Sequence, residues 1–134
     1  MSTLAIGRFS TAAALRAGIS VTLAVSGLIH AELYVHGYRS VPTIGLAFLA
    51  QASVFVALAI LIAVGGPSWL QCAAGLGALG SLVAFALSRT IGIFGFVEHG
   101  WEPTPRVLVS VIAEVLTVVL CAAAVLTARG ARPV

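Results

Sequence analysis

The sequence predicts an all-α integral membrane protein, a four-helix bundle of up-down-up-down topology with short loops. Three observations predict it. The chain has 134 residues, of which 60% are hydrophobic and 8% charged, whereas soluble domains carry roughly 25% charged residues and under half apolar ones. The apolar residues fall into four long runs separated by short segments rich in Gly, Pro and charge, and about 20 such residues cross a bilayer as a helix. The seven cations are all arginine, scattered singly at the ends of those runs, where they anchor helices and bias orientation. No basic run with interleaved aromatics is present, so the net charge of +3 points to the lipid bilayer as partner and not to nucleic acid. About four spans use up the length, so residues 1–134 form one domain.

Ser2 to Arg16 reads as a short basic lead, with Arg8 and Arg16 and no acid. The first span is expected over about 17–35. Its apolar run continues well past a signal-peptide core, which predicts a retained helix. His36 to Val41 reads as a turn, with Gly37 as helix stop and Pro42 in the first turn of the next helix. The second span is expected over 44–64, with Gln51 its one strongly polar side chain, and Gly65-Gly66-Pro67 ends it. Ser68 followed by Gln71 has the spacing of a capping box.

The third span is expected over about 70–91. Gly77, Ser81, Ala84 and Ser88 make a stripe of small residues along it, which admits close approach of a neighbouring helix or of a second copy. Gly92 and Gly95 predict a frayed or bent end. Thr104 and Pro105 read as N-cap and first position of the fourth span, 106–128. Gly130 and Pro133 close a tail with Arg129 and Arg132. Cys72 and Cys121 lack the spacing of a metal or haem motif and read as small side chains within apolar segments.

Four spans place both termini on one side, with Arg8, Arg16, Arg129 and Arg132 there against Arg39 and Arg106 opposite. By the positive-inside rule the termini are expected to be cytoplasmic. All three histidines and every acid except Glu114 then gather at the outer face. Glu114 lies eight residues into the fourth span, roughly 12 Å deep at 1.5 Å per residue, and Gln51 lies at a comparable depth. Ionisable groups at membrane depth face the bundle interior and pair, so Arg89 and Glu114 are the expected pair. Glu32 and His36, four residues apart, share a helix face. The expected ligand-lining set is Arg89, Glu114, Gln51, His30 and Glu32.

His36, His99 and Glu98 offer nitrogen and oxygen donors of the kind that suit Zn, Cu(II) or non-haem iron. There is no H-x-x-x-H or H-E-x-x-H spacing, and His30 and Glu32 point about 200° apart on an ideal helix. Haem ligation by two histidines needs a facing pair at one depth, and only His30 lies inside a span. No serine has nucleophile-elbow context and no phosphate loop precedes a helix, which argues against a hydrolase or nucleotidase.

Gly27-Leu28-Ile29-His30 through Gly37-Tyr38-Arg39, then Ile44-Gly45 with Gln51, then Gly92-Ile93-Phe94-Gly95-Phe96 before Glu98 resemble the small, mostly uncharacterised four-span membrane proteins of high-GC Gram-positive bacteria. This resemblance implies a bacterial cytoplasmic membrane. More distantly, the basic lead, the first helix ending in Ser26-Gly27-x-x-His30 and the four short-looped spans are similar to DoxX-type proteins. That resemblance implies association with redox or quinone-linked membrane complexes and assigns no catalytic residue. The expected function is a non-catalytic accessory or small-ligand-binding subunit, with a quinone or lipid headgroup in an outer-leaflet site. It would sit alone, as a homo-oligomer or in a larger complex. The alternative is a redox or metal-dependent enzyme using His30, His36 and His99.

Overall fold

The structure, a computed structural model, describes residues 3–131. It is an all-helical four-helix bundle, with no sheet among the described residues: α1 (Thr3–Leu33), α2 (Ile44–Ala63), α3 (Trp69–Ser88) and α4 (Arg106–Arg129). Four stretches are long and apolar enough to cross a membrane; the first, Thr11–Tyr38, runs through α1 and on past its end at Leu33, and the other three coincide with α2, α3 and α4. The protein is a multi-pass membrane protein. Arg132 and Pro133, read above as part of the basic tail, lie outside the described residues.

The bundle has two unlike halves. Towards the termini its core is apolar: Ile19 and Leu23 of α1 meet Phe55, Ala59 and Ile62 of α2, Leu70 and Ala74 of α3, and Cys121 of α4. Lipid is as apolar as these side chains, so their burial alone does not drive association; close packing and hydrogen bonds do. Ser20 Oγ donates to the Ala59 carbonyl at 2.6 Å, and the hydroxyls of Thr22 and Thr117 meet at 2.8 Å. Gly75 leaves room for Cys121, and Gly77 for the ring of Phe55. The small-residue stripe of α3 therefore turns inward, towards the partners it has within this chain.

Several local expectations change. α1 begins at Thr3, so the basic lead is helical and the first helix starts far ahead of residue 17. Arg16 is fixed by α2: its Nη1 donates to the carbonyls of Ile62 and Gly66 at 3.1 and 3.0 Å. Both carbonyls lie at the C-terminal end of α2 or just past it, where a cation is favoured. Gly37 does not stop the first helix. The helix widens into a π-helical turn over Tyr34–Tyr38, with Arg39 N–H donating to the Tyr34 carbonyl at 3.0 Å. Pro42 precedes α2 instead of sitting in its first turn. Ser68 forms no capping box, because its backbone is already helical and its side chain makes no cap bond. Thr104 does not cap α4 either: its hydroxyl donates to the Trp101 carbonyl at 2.6 Å.

The largest departure is at the end of α3. The helix stops at Ser88, three residues early, and residues 89–105 fold as a lid-like segment over the end of the bundle. Gly92 and Gly95 stand at φ +86° and +76°, a region glycine enters freely. They bracket a tight turn closed by Ile93 and Phe96, whose N–H groups donate to each other's carbonyls at 2.9 and 2.8 Å. Thus the glycines build a turn instead of fraying a helix.

Gly45 holds the other lip. A Cβ there would run into the Tyr38 carbonyl oxygen and lie 3.0 Å from the Arg39 backbone. Backbone cannot yield as a flexible side chain can, so Gly45→Ala is expected to lower stability by about 1–3 kcal/mol. Gly80, where an added methyl would meet nothing within 4 Å, serves as control, and Gly80→Ala is expected to be neutral or slightly stabilising. Thermal unfolding of both variants in one mild detergent checks the contrast.

Candidate functional site

Glu114 is the centre of the polar half. It is 2% exposed and sits on α4 among buried Ser26, His30 and Ser110. One of its oxygens, Oε1, accepts hydrogen bonds from Ser26 Oγ at 2.8 Å, Ser81 Oγ at 2.8 Å, Gln51 Nε2 at 3.2 Å and Ser110 Oγ at 3.2 Å. These donors come from α1, α3, α2 and α4 respectively. Gln51 Nε2 also donates to Ser81 Oγ at 2.7 Å. Among the described residues no donor reaches the second oxygen, Oε2, and Oε2 is not a sealed orphan atom. It faces a cavity of about 130 Å³ that Glu114 helps to line.

His30 stands beside this carboxylate, with Nε2 at 3.9 Å from Oε1. Its Nδ1 is 2.9 Å from the Ser26 carbonyl. A carbonyl only accepts, so Nδ1 carries a hydrogen and donates. The neutral ring would then turn the Nε2 lone pair towards a carboxylate oxygen. The ring is wedged by Phe48 and Phe55, with centroids at 5.0 and 6.4 Å.

Above the carboxylate the cavity walls are aromatic. Tyr38 stacks on Phe48 at 4.6 Å and meets Phe96 edge-on at 5.9 Å. The π-helical turn that carries Tyr38 and the glycine turn that carries Phe96 therefore close one wall together. The mouth bears Arg89, Glu98 and Tyr38. Arg89 Nη2 pairs with Glu98 Oε2 at 3.1 Å and donates to the Glu102 carbonyl at 2.9 Å, while Tyr38 Oη donates to Glu98 Oε1 at 2.6 Å. The Arg89 guanidinium lies 5.0 Å over the Phe85 ring, and its Nε and Nη1 are buried without a hydrogen-bond partner; the ring face is the neighbour that such a cation favours. Ala47 and Phe94 line the cavity and are also exposed on the outside of the molecule, so it opens there.

Of the residues read as a ligand-lining set, the structure places Arg89, Glu114, Gln51 and His30 on this cavity. The expected Arg89–Glu114 pair is not formed. Arg89 is taken by Glu98 at the mouth, and Glu114 is satisfied by neutral donors below it. Glu32 is elsewhere: its Oε1 receives Arg106 Nε and Nη2, both at 2.8 Å, on the half-exposed side of α1 and α4. His36 and His99 are exposed, and His36 Nδ1 meets the Glu32 carbonyl at 3.0 Å. No three His, Cys, Asp or Glu gather among the described residues, so His36, His99 and Glu98 are not brought together, and Glu98 instead serves Arg89 and Tyr38. Cys72 is exposed and Cys121 buried, both as free thiols.

Sequence reasoning passed over Ser26, Ser110 and Tyr38 as parts of this site. Two of them carried a visible spacing: Ser26 precedes His30 by four residues and Ser110 precedes Glu114 by four, the interval that stacks side chains on one helix face. No family model, curated protein or solved structure matches this chain, so the geometry alone carries the functional reading.

The pairing pattern is testable by double-mutant cycles. Arg89→Ala and Glu98→Ala are expected to couple by about 0.5–3 kcal/mol in thermal or denaturant unfolding. Arg89→Ala and Glu114→Ala are expected to be additive within about 0.5 kcal/mol. Strong Arg89–Glu114 coupling would show that the two share one ion pair.

Proposed function

We propose that this protein is a non-catalytic small-ligand-binding subunit of a bacterial cytoplasmic membrane, holding a ligand's polar head in a cavity of the outer leaflet. The observation that carries this reading is the cavity itself: aromatic walls, one open side, and at its floor a buried carboxylate with an unused oxygen. Ligand sites combine mostly apolar lining with a few placed polar groups. A dry engineered cavity of about 150 Å³ accepts one benzene ring, so about 130 Å³ suits a single small head, with any apolar tail leaving past Ala47 and Phe94. A quinone or a lipid headgroup fits that description, and both are supplied by the bilayer.

The outer-leaflet placement rests on arginine. The sequence puts four arginines, Arg8, Arg16, Arg129 and Arg132, on the side of the termini against three, Arg39, Arg89 and Arg106, on the side of the site. Binding without transport is supported by the apolar plug of Ile19, Leu23, Phe55 and Ile62 below the site, which offers a polar solute no continuing path. The likeness to DoxX-type proteins adds a redox-linked membrane complex as the setting, with this chain as an accessory in it.

Ala84 lines the cavity, and Ala84→Phe would fill it with a ring. Protein purified in mild detergent is expected to release a stoichiometric small molecule on solvent extraction, read by mass spectrometry, and Ala84→Phe is expected to lose it while keeping its helical circular dichroism. Equal recovery from both proteins would contradict the proposal. So would stoichiometric iron, copper or zinc, or haem absorption, which would point to the redox enzyme.

A further inference from the structure

We infer that the ligand of this cavity carries a positive charge: its head is a primary ammonium on a compact apolar body, and that ammonium binds Glu114 Oε2. The inference rests on the ligand-binding reading above and chooses among its ligands.

The polar half holds one fully buried acid that no arginine meets, Glu114, whose nearest ionisable neighbour is the His30 ring at 3.9 Å. Arg89 is matched by Glu98, and Arg106 by Glu32. Glu114 has only uncharged hydrogen-bond donors, Ser26, Ser81, Gln51 and Ser110, all on Oε1. A carboxylate at membrane depth is costly unless a cation or proton joins it. The position left for that cation is Oε2, which is free and faces the cavity. An ammonium supplies both the charge and a hydrogen to donate there. Its carbon body meets Phe48, Tyr38 and Phe96, and aromatic faces attract cations. At Oε2 a quinone brings only an acceptor oxygen to another acceptor, so a quinone head would turn to the unpartnered Nε and Nη1 of Arg89 and leave Glu114 uncompensated.

The same head could belong to an aminophospholipid or to a free amine. The experiment is equilibrium dialysis of the full chain in lipid-free mild detergent with benzylammonium, benzyl alcohol and toluene. Benzylammonium is expected to bind at least about tenfold tighter than either neutral probe near pH 8. Glu114→Gln is expected to erase the preference for the cation while toluene binding persists. Because the preference for the charged probe is read on the unaltered protein, the inference stays falsifiable even if Glu114→Gln does not fold. If the three probes bind alike, the cationic head is wrong while the ligand-binding reading stands. If none binds, that reading fails as well. Repeating the titration in phosphatidylcholine nanodiscs with and without phosphatidylethanolamine separates the sources: competition by phosphatidylethanolamine assigns the head to a lipid, and its absence to a free amine.

Discussion

One carboxylate oxygen is held by all four helices. Glu114 Oε1 takes donors from Ser26 on α1, Gln51 on α2, Ser81 on α3 and Ser110 on its own helix. In a bilayer this matters more than it would in water. Apolar side chains gain little by leaving lipid for each other, so a membrane bundle needs close packing and hydrogen bonds to prefer one arrangement. A leucine-rich helix can rotate in a greasy bundle at small cost, but α4 cannot rotate without carrying a buried carboxylate into hydrocarbon. The register and rotation of all four helices follow from where that oxygen must be.

The tie also explains why the bundle is asymmetric. Four small or slender donors meeting at one atom leave space around them that large side chains do not fill. The space becomes a cavity because the helix ends above it are held apart and roofed. A π-helical turn swings Tyr38 inward, and the Gly92–Gly95 turn brings Phe96 to meet it. Glu98 joins the two, accepting from Tyr38 and pairing with Arg89. At the other end nothing competes with packing, and Gly75 and Gly77 let the helices close.

Much of this architecture is legible in the chain. Apolar runs of bilayer length give four helices, and the isolated ionisable residue Glu114 in the last of them marks a polar centre. Depth counted at 1.5 Å per residue puts Gln51 level with Glu114, and the two do touch. What could not be read was partner choice. Arg89 and Glu114 are opposite charges on adjacent helices, but the segment after Ser88 turns back through two positive-φ glycines and delivers Glu98 to Arg89 first. Glu32 is drawn off in the same way by Arg106, across a long sequence separation. Local signals failed where tertiary contacts overrode them: Gly37 sits within a π turn, and Ser68 and Thr104 cap nothing.

Everything above depends on Glu114 as the tie between helices. The most direct measurement is the set of double-mutant cycles pairing Glu114→Gln with Ser26→Ala, Ser81→Ala and Gln51→Leu, read by unfolding in one detergent. Each pair is expected to couple, by about 0.6–1.7 kcal/mol, the range of interhelical hydrogen bonds in membranes. Additive effects in all three cycles would show that the helices are held by packing alone and that Glu114 ties nothing together.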